Sequence, residues 1–212
     1  MTLKIYGTPA SRTFRTLWMA NELGIKYENI PTDFRKGQTR APDYMGKVNP
    51  NGHIPAIDDD GCIMWESLAI NLYLAKKHGG AMALKSPQEE GLATQWSMWA
   101  LTEAEPPIVN MLMNRVMLPE AQRDAAAANK ASESLKAPMT VLNNALAGKQ
   151  WLIGDRFTVA DLNVSGVTST ARRVQFDLKP YPNVDAWITR CLSRPAAQAA
   201  DKLRQDAMKL AA

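Results

Sequence analysis

Cysteine and histidine are both scarce in this chain, with two of each among 212 residues. Cys62 and Cys191 stand far apart and form no CxxC pair, which excludes a disulfide framework and a local dithiol. So little cysteine suits a reducing compartment. His53 and His78 are too few for a zinc site built from several imidazoles, and no metal is expected. Long apolar runs are missing too. No stretch approaches the ~18 consecutive apolar residues of a membrane span, and the opening MTLKIYGTPASRTF lacks the apolar core of a secretory signal. Nor does one charge dominate: 25 Lys and Arg against 21 Asp and Glu leave +4, spread singly or in pairs. That pattern gives no basic track for phosphates. The expectation is a cytoplasmic protein with neither nucleic acid nor membrane as partner.

What is present is ordinary globular composition, 46% hydrophobic and 22% charged. At roughly 150 residues per domain the length allows one to two domains. The first ~80 residues alternate between strand and helix patterns. Leu3 to Tyr6 is a strand; after the Gly7-Thr8-Pro9-Ala10 turn, Ser11 is expected to cap a helix carrying Phe14, Leu17, Trp18 and Leu23, with Gly24 as its stop. Ile25 to Ile30 alternates as a second strand, and Thr32 to Asn49 reads as a long polar loop with at most one helical turn. Ile54 to Ile57 and Cys62 to Trp65 are strands joined by a turn containing Asp60-Gly61, a strong hairpin signal. A helix from Glu66-Ser67 ends in Lys76, Lys77 and His78, cations that complement its negative end. From Ser86 onward the pattern is helical: Glu89 to Val116, kinked or split by Pro106-Pro107, then Asp124 to Leu146 with Pro138 as a second kink. Thr158 and Asp161 approximate a capping box, and two further helices close the chain. The stretch from Gly79 to Pro87 reads as the linker between the halves.

Three groups in the amino-terminal half suit an anionic, thiol-bearing or peptide-like ligand. Ser11 stands at a helix start, where free N–H groups and the helix dipole favour negative charge and a hydroxyl can donate to a thiolate. Glu66 and Ser67 open a second helix, an anion site with a carboxylate beside it for an ammonium group. Between them, Asn49-Pro50-Asn51-Gly52-His53-Ile54-Pro55 places a proline at a strand entry, where a cis bond would present the Ile54 backbone to an extended ligand.

Four segments in this order and spacing resemble the cytosolic glutathione S-transferases, over almost the whole chain. Tyr6-Gly7-Thr8-Pro9-Ala10-Ser11, with Arg15 following, is similar to the serine-type active-site segment of phi-, theta- and delta-like members. Asn49-Pro50-x-Gly52-x-Ile54-Pro55-Ala56 resembles the cis-proline segment, Glu66-Ser67-Leu68-Ala69-Ile70 the glutathione motif, and Thr158-Val159-Ala160-Asp161 the capping motif of the helical domain. The resemblance implies an α+β thioredoxin-like domain over residues 1–80, a linker over 81–87 and an all-α domain over 88–212, assembled as a homodimer. It implies glutathione as co-substrate and a small hydrophobic electrophile as second partner. It assigns Ser11 to the glutathione sulfur, Glu66 and Ser67 to the γ-glutamyl end, the Ile54 backbone with Pro55 to the cysteinyl moiety, and Arg40 and His53 to the glycyl carboxylate.

A free thiol titrates near ~8.5, and lowering that by about two units takes roughly 2.7 kcal/mol. One charge-assisted hydrogen bond from Ser11 and a helix start are of that size, so no protein base is needed. The turn after the first strand carries no cysteine, which disfavours protein-dithiol exchange; glutathione-dependent peroxide or disulfide reduction stays open, because the ligand brings its own thiol. A non-catalytic scaffold is the remaining alternative. Cys62 and Cys191 read as buried apolar fillers, Trp96, Trp99, Met111 and Met113 as core by default, and Arg115, Arg172 and Arg173 as surface cations.

Overall fold

The computed structural model describes residues 2–210, the side chain of Ala81 excepted. It forms two compact units: residues up to Leu84 together with those from Ser193 onward, and Lys85–Leu192.

The first unit is a four-stranded sheet in the order β2-β1-β3-β4, with β1 at Leu3–Tyr6, β2 at Tyr27–Ile30, β3 at Ala56–Asp59 and β4 at Cys62–Trp65. Strands β1 and β2 are parallel, which requires a crossover, and helix α1, Thr13–Glu22, supplies it. The other two pairings are antiparallel. The β3–β4 hairpin turns on Asp60 (φ 56°) and Gly61 (φ 87°), both left-handed, as a tight two-residue turn demands. Leu3 and Ile5 are buried while Lys4 and Tyr6 are half-buried, the period-two alternation of a strand covered by helices on one face. Helix α3, Ser67–His78, packs beside α1 over the buried face.

The polar stretch before β3 is more ordered than its composition implies. It holds two single 3-10 turns, Phe34–Lys36 and Gln38–Arg40, and a six-residue helix α2, Pro42–Lys47. Pro42 fits a first helical turn because its missing N–H is not needed there. A helix this short, with Gly46 inside it, shows no apolar period to read. Tyr44 anchors it, buried and edge-on to Tyr6 at 6.3 Å.

The last helix, Pro195–Lys209, groups with this unit, where the sequence reading gives it to the second domain. Arg194 forks onto Glu22 with two bonds of 2.7 Å, Trp18 Nε1 donates to the same carboxylate at 2.9 Å, and the Arg204 guanidinium lies 4.5 Å from the Phe14 ring centroid. Arg194 and Arg204 thereby hold the two ends of α1, a pairing that no local pattern announces.

The second unit is all helical. Its α4, Pro87–Trp99, passes through a π-helical turn, Ala100–Ala104, into α5, Glu105–Leu112, and a second π turn, Met113–Met117. Pro106 and Pro107 have no N–H for the carbonyls of Thr102 and Glu103. The chain answers by widening: Glu105 N–H reaches back five residues to Ala100 O, so the helix is neither broken nor split. Helix α6, Ala125–Ala145, likewise runs through Pro138, whose freed carbonyl partner lies at exposed Ser134. Then follow α7, Val159–Thr168, the short α8, Thr170–Arg173, and α9, Pro182–Leu192, around a core that includes Ile108, Met111, Leu142, Leu162 and Trp187; the last helix of the first unit is α10.

Glu89, in the first turn of α4, receives a two-pronged bond from Arg156 at 3.0 and 2.6 Å and one from Lys85 N at 2.8 Å. The Arg156 bond, foremost, holds its carboxyl down at about 2, against an ordinary 4.5. A carboxylate with a depressed folded pKa stabilises the protein above its unfolded pKa and ceases to do so as pH falls through the folded one. Glu89→Gln is therefore expected to cost about 1 to 2 kcal/mol at neutral pH and to flatten the loss of stability below about pH 4.5. Thermal melts across that window test it; a variant as acid-sensitive as the parent would refute the assignment.

Candidate functional site

Strand β1 ends in a turn that crosses the sheet end. Gly7 has φ 142°, and a Cβ there would lie 2.1 Å from Thr13 Oγ1 and 3.2 Å from Ile54 Cβ. Only glycine lets β1 lie this close to both α1 and the proline loop. Helix α1 starts at Thr13, with Arg12 in the cap position that the sequence reading gives to Ser11, one residue later than expected, and Ser11 sits half-buried in the preceding turn. Its hydroxyl donates to Thr8 O at 2.7 Å, lies 2.9 Å from Thr13 Oγ1, and accepts from Thr13 N–H at 3.1 Å.

The proline loop is held from beneath. Asn49 is buried; its Oδ1 accepts from Asn51 N at 3.0 Å and its Nδ2 donates to His53 O at 2.9 Å. Tyr44 O–H donates to the same carbonyl at 2.7 Å, and burial, with Tyr6 beside it, pushes its phenol up to about 12, so it remains a donor throughout the neutral range. Arg40 Nη1 donates to Asn51 O at 3.1 Å and lies over Gly52, where a Cβ would come within 2.8 Å of it. The His53 side chain is exposed. The Ile54–Pro55 bond is cis, and Ile54 lies outside the paired strands, since the β1–β3 ladder starts with Tyr6 opposite Ala56. The strand expected from Ile54 thus begins two residues later.

Helix α3 follows β4 through Glu66, which has φ 72° and ψ 109° and an exposed side chain that makes no capping bond. A non-glycine residue in that region costs of order 1 to 3 kcal/mol, and such residues cluster at active sites and ligand clamps. Ser67 is buried, and Arg15 Nη1, from the buried face of α1, donates to its Oγ at 3.4 Å. Asn71 Nδ2 donates to Arg15 O at 3.3 Å, completing a link between the starts of α1 and α3.

The Ser11 turn meets Ile54 through Gly7, and α1 meets Ser67 through Arg15, so these three converge at one end of the sheet. Arg40 and His53 join through the loop that Asn49 and Tyr44 hold. Neither Thr13 nor Tyr44 stands out in the sequence, and Asn49, which opens the proline motif there, is given no holding role. Only the spacing of Thr13, two residues after a serine at a helix start, could have pointed to it. Cys62 is exposed at the hairpin rather than buried, because β4 is an edge strand with its outer face open; Cys191 is buried as expected. Among the described residues no cluster of His, Cys, Asp or Glu is arranged to hold a metal, and no helix is long and apolar enough to cross a membrane.

A thioredoxin-like sheet with a cis-proline facing a helix start, followed by a helical unit, defines a class of thiol-ligand proteins. The family model described as the glutathione S-transferase N-terminal domain matches residues 1–76, and that of the glutathione S-transferase C-terminal domain matches 101–195. Glutathione S-transferase 3 of Zea mays is 33% identical over 92% of this chain and 91% of its own. The probable glutathione S-transferase GSTF2 of Oryza sativa is 31% identical over 92% and 94%. Among solved structures, the glutathione transferase URE2P6 of Phanerochaete chrysosporium, in complex with oxidized glutathione, is 26% identical with a TM-score of 0.88, covering 97% of each chain. The chain belongs to the glutathione S-transferase family, a family of enzymes.

Proposed function

We propose that the protein is a cytoplasmic, homodimeric glutathione transferase that stabilises the glutathione thiolate at Ser11 and conjugates it to small apolar electrophiles. The observation that carries this reading is the convergence of the Ser11 hydroxyl, the cis Ile54–Pro55 segment and the start of α3 at one sheet end, in a turn without cysteine. Ser11 turns its hydroxyl to the sulfur. The Ile54 backbone pairs with the cysteinyl moiety as an added strand, the arrangement that an unpaired segment beside a sheet favours. The start of α3, with Ser67, receives the γ-glutamyl carboxylate, and exposed Glu66 its ammonium group. Arg40 and His53, together at the loop, take the glycyl carboxylate. The open edge of β4, with Ile63 and Trp65 about 40% exposed, supports pairing with a second copy.

Calorimetry with glutathione, followed by turnover with a chloronitrobenzene, a hydroperoxide and a mixed disulfide, tests the reading. Failure to bind glutathione at millimolar concentration overturns it; turnover confined to the last two substrates makes the enzyme a glutathione-dependent reductase. Sedimentation at micromolar concentration checks the dimer. Ser67→Ala is expected to raise KM for glutathione by about 10- to 100-fold, the loss of one hydrogen bond to a charged group, with kcat at saturation little changed. An unaltered KM would remove Ser67 from the binding set.

A further inference from the structure

The hydrogen-bond inventory of Ser11 closes in only one way. A hydroxyl has one hydrogen and two lone pairs. Thr8 O is a carbonyl and can only accept, so the Ser11 hydrogen points at it. Thr13 N–H can only donate, so it occupies one lone pair. At 2.9 Å, Thr13 Oγ1 must then donate to the other, because Ser11 has no second hydrogen to offer. Thr13 is fully buried, and Gly7 lacks the Cβ that would otherwise come within 2.1 Å of its hydroxyl. The fold thus keeps a position clear for a hydroxyl whose one evident polar partner, among the described residues, is Ser11.

We infer that Thr13 is a positioning residue that fixes Ser11 as a donor and sharpens it. The inference deepens the proposed thiolate role of Ser11 and rests on it. With both lone pairs filled from one side by Thr13, the Ser11 hydroxyl has no acceptor capacity left for a ligand. It can only give its hydrogen away. Turning from Thr8 O to a thiolate breaks one bond to a neutral carbonyl and makes one to an anion, while the two bonds from Thr13 persist. Accepting two hydrogen bonds also polarises an O–H and strengthens what it donates, the cooperative effect of a hydrogen-bond chain. The same occupied lone pairs deny the neutral thiol's S–H an acceptor at Ser11 and leave its sulfur only a weak acceptor of the Ser11 hydrogen, where the thiolate is a strong one. Thr13 therefore discriminates between the two protonation states of the bound sulfur without touching it.

Thr13→Val keeps shape and removes the hydroxyl; Thr13→Ala is a second variant without it, and Thr13→Ser restores it. The readout is the pKa of enzyme-bound glutathione, from thiolate absorbance of the binary complex, with the pH–rate profile for chloronitrobenzene conjugation. Thr13→Val and Thr13→Ala are each expected to raise the bound-thiol pKa by about 0.5 to 1 unit. At a pH below that pKa, kcat should fall by about three- to tenfold, with KM for glutathione unchanged, and Thr13→Ser should behave as the parent. In a Ser11→Ala background, Thr13→Val should shift the pKa no further, because its effect runs through Ser11. If Ser11→Ala moves the bound-thiol pKa and neither hydroxyl-free Thr13 variant does, the inference fails and the thiolate role of Ser11 stands. Where Ser11→Ala itself moves nothing, the proposed function fails first. A Thr13→Val protein that loses melting temperature yet keeps the parental pKa would mark Thr13 as packing only.

Discussion

Ser11→Ala is expected to lower kcat/KM for conjugation at neutral pH by about 10- to 100-fold while leaving glutathione affinity within about twofold. The reason lies in what the hydroxyl does. It contributes one bond to one atom of a ligand whose two carboxylates and ammonium group are held elsewhere, so removing it costs little of the binding. That bond favours the charged form of the sulfur, and a charge-assisted hydrogen bond is worth about 1.5 to 3 kcal/mol, or one to two pKa units. The bound thiol in the variant should therefore titrate one to two units higher, towards the ~8.5 of a free thiol. The sign is decisive: the rate deficit is largest at acid and neutral pH, where the parent holds thiolate and the variant holds thiol, and closes as pH rises above the variant's pKa. An inflection that stays in place would move the stabilising role to another donor. Losing Ser11 Oγ leaves Thr8 O at a half-buried turn that water can reach, but it also takes the Ser11 partner from the buried Thr13 hydroxyl and N–H, a stability cost of about 1 to 3 kcal/mol for each orphaned group that a thermal melt reads separately from the bound-thiol pKa.

Much of this architecture was legible in the sequence, and the part that was not has a common physical cause. Strands β1 and β4, the Asp60-Gly61 turn and the ends of α3 follow from period, turn chemistry and terminal charge, all local properties. The cis-proline loop and Glu66-Ser67 are equally visible because their residues are contiguous. What escaped depends on which side chains meet once the chain has folded. Asn49 and Tyr44 matter because both reach His53 O; Arg15 matters because Ser67 comes to it from 52 residues away. The association of α10 with α1 rests on Arg194 and Glu22, which are 172 residues apart. The proline pair at 106–107 reads as a disruption, and that the outcome is a π turn instead of a break rests on Glu105 N–H finding Ala100 O, which no sequence period shows.

Asp161→Ala is expected to be the most destabilising single change in the helical unit, at about 3 to 5 kcal/mol. The carboxylate is fully buried and satisfies four donors: Leu152 N at 2.8 Å and Trp187 Nε1 at 2.9 Å on one oxygen, Thr158 N at 3.0 Å and Thr158 Oγ1 at 3.2 Å on the other. It thus closes the capping box of α7 and pins both the preceding loop and α9 to it. Burial pushes its carboxyl up while the four donors hold it down, so the side chain is costly to bury and costlier to remove. Alanine leaves three buried N–H groups without an acceptor, each worth about 1 to 3 kcal/mol when orphaned. Asparagine keeps one oxygen for Leu152 and Trp187 and turns an amide towards Thr158, whose hydroxyl can reverse to accept but whose N–H cannot. It should cost about half as much as alanine. Thr158→Ala, which removes only the reciprocal cap, should cost about 1 kcal/mol. Urea unfolding followed by circular dichroism gives the order directly. If asparagine proved as damaging as alanine, the oxygen shared by Leu152 and Trp187 would carry nothing, and the account of Asp161 as the pin of the helical unit would be wrong.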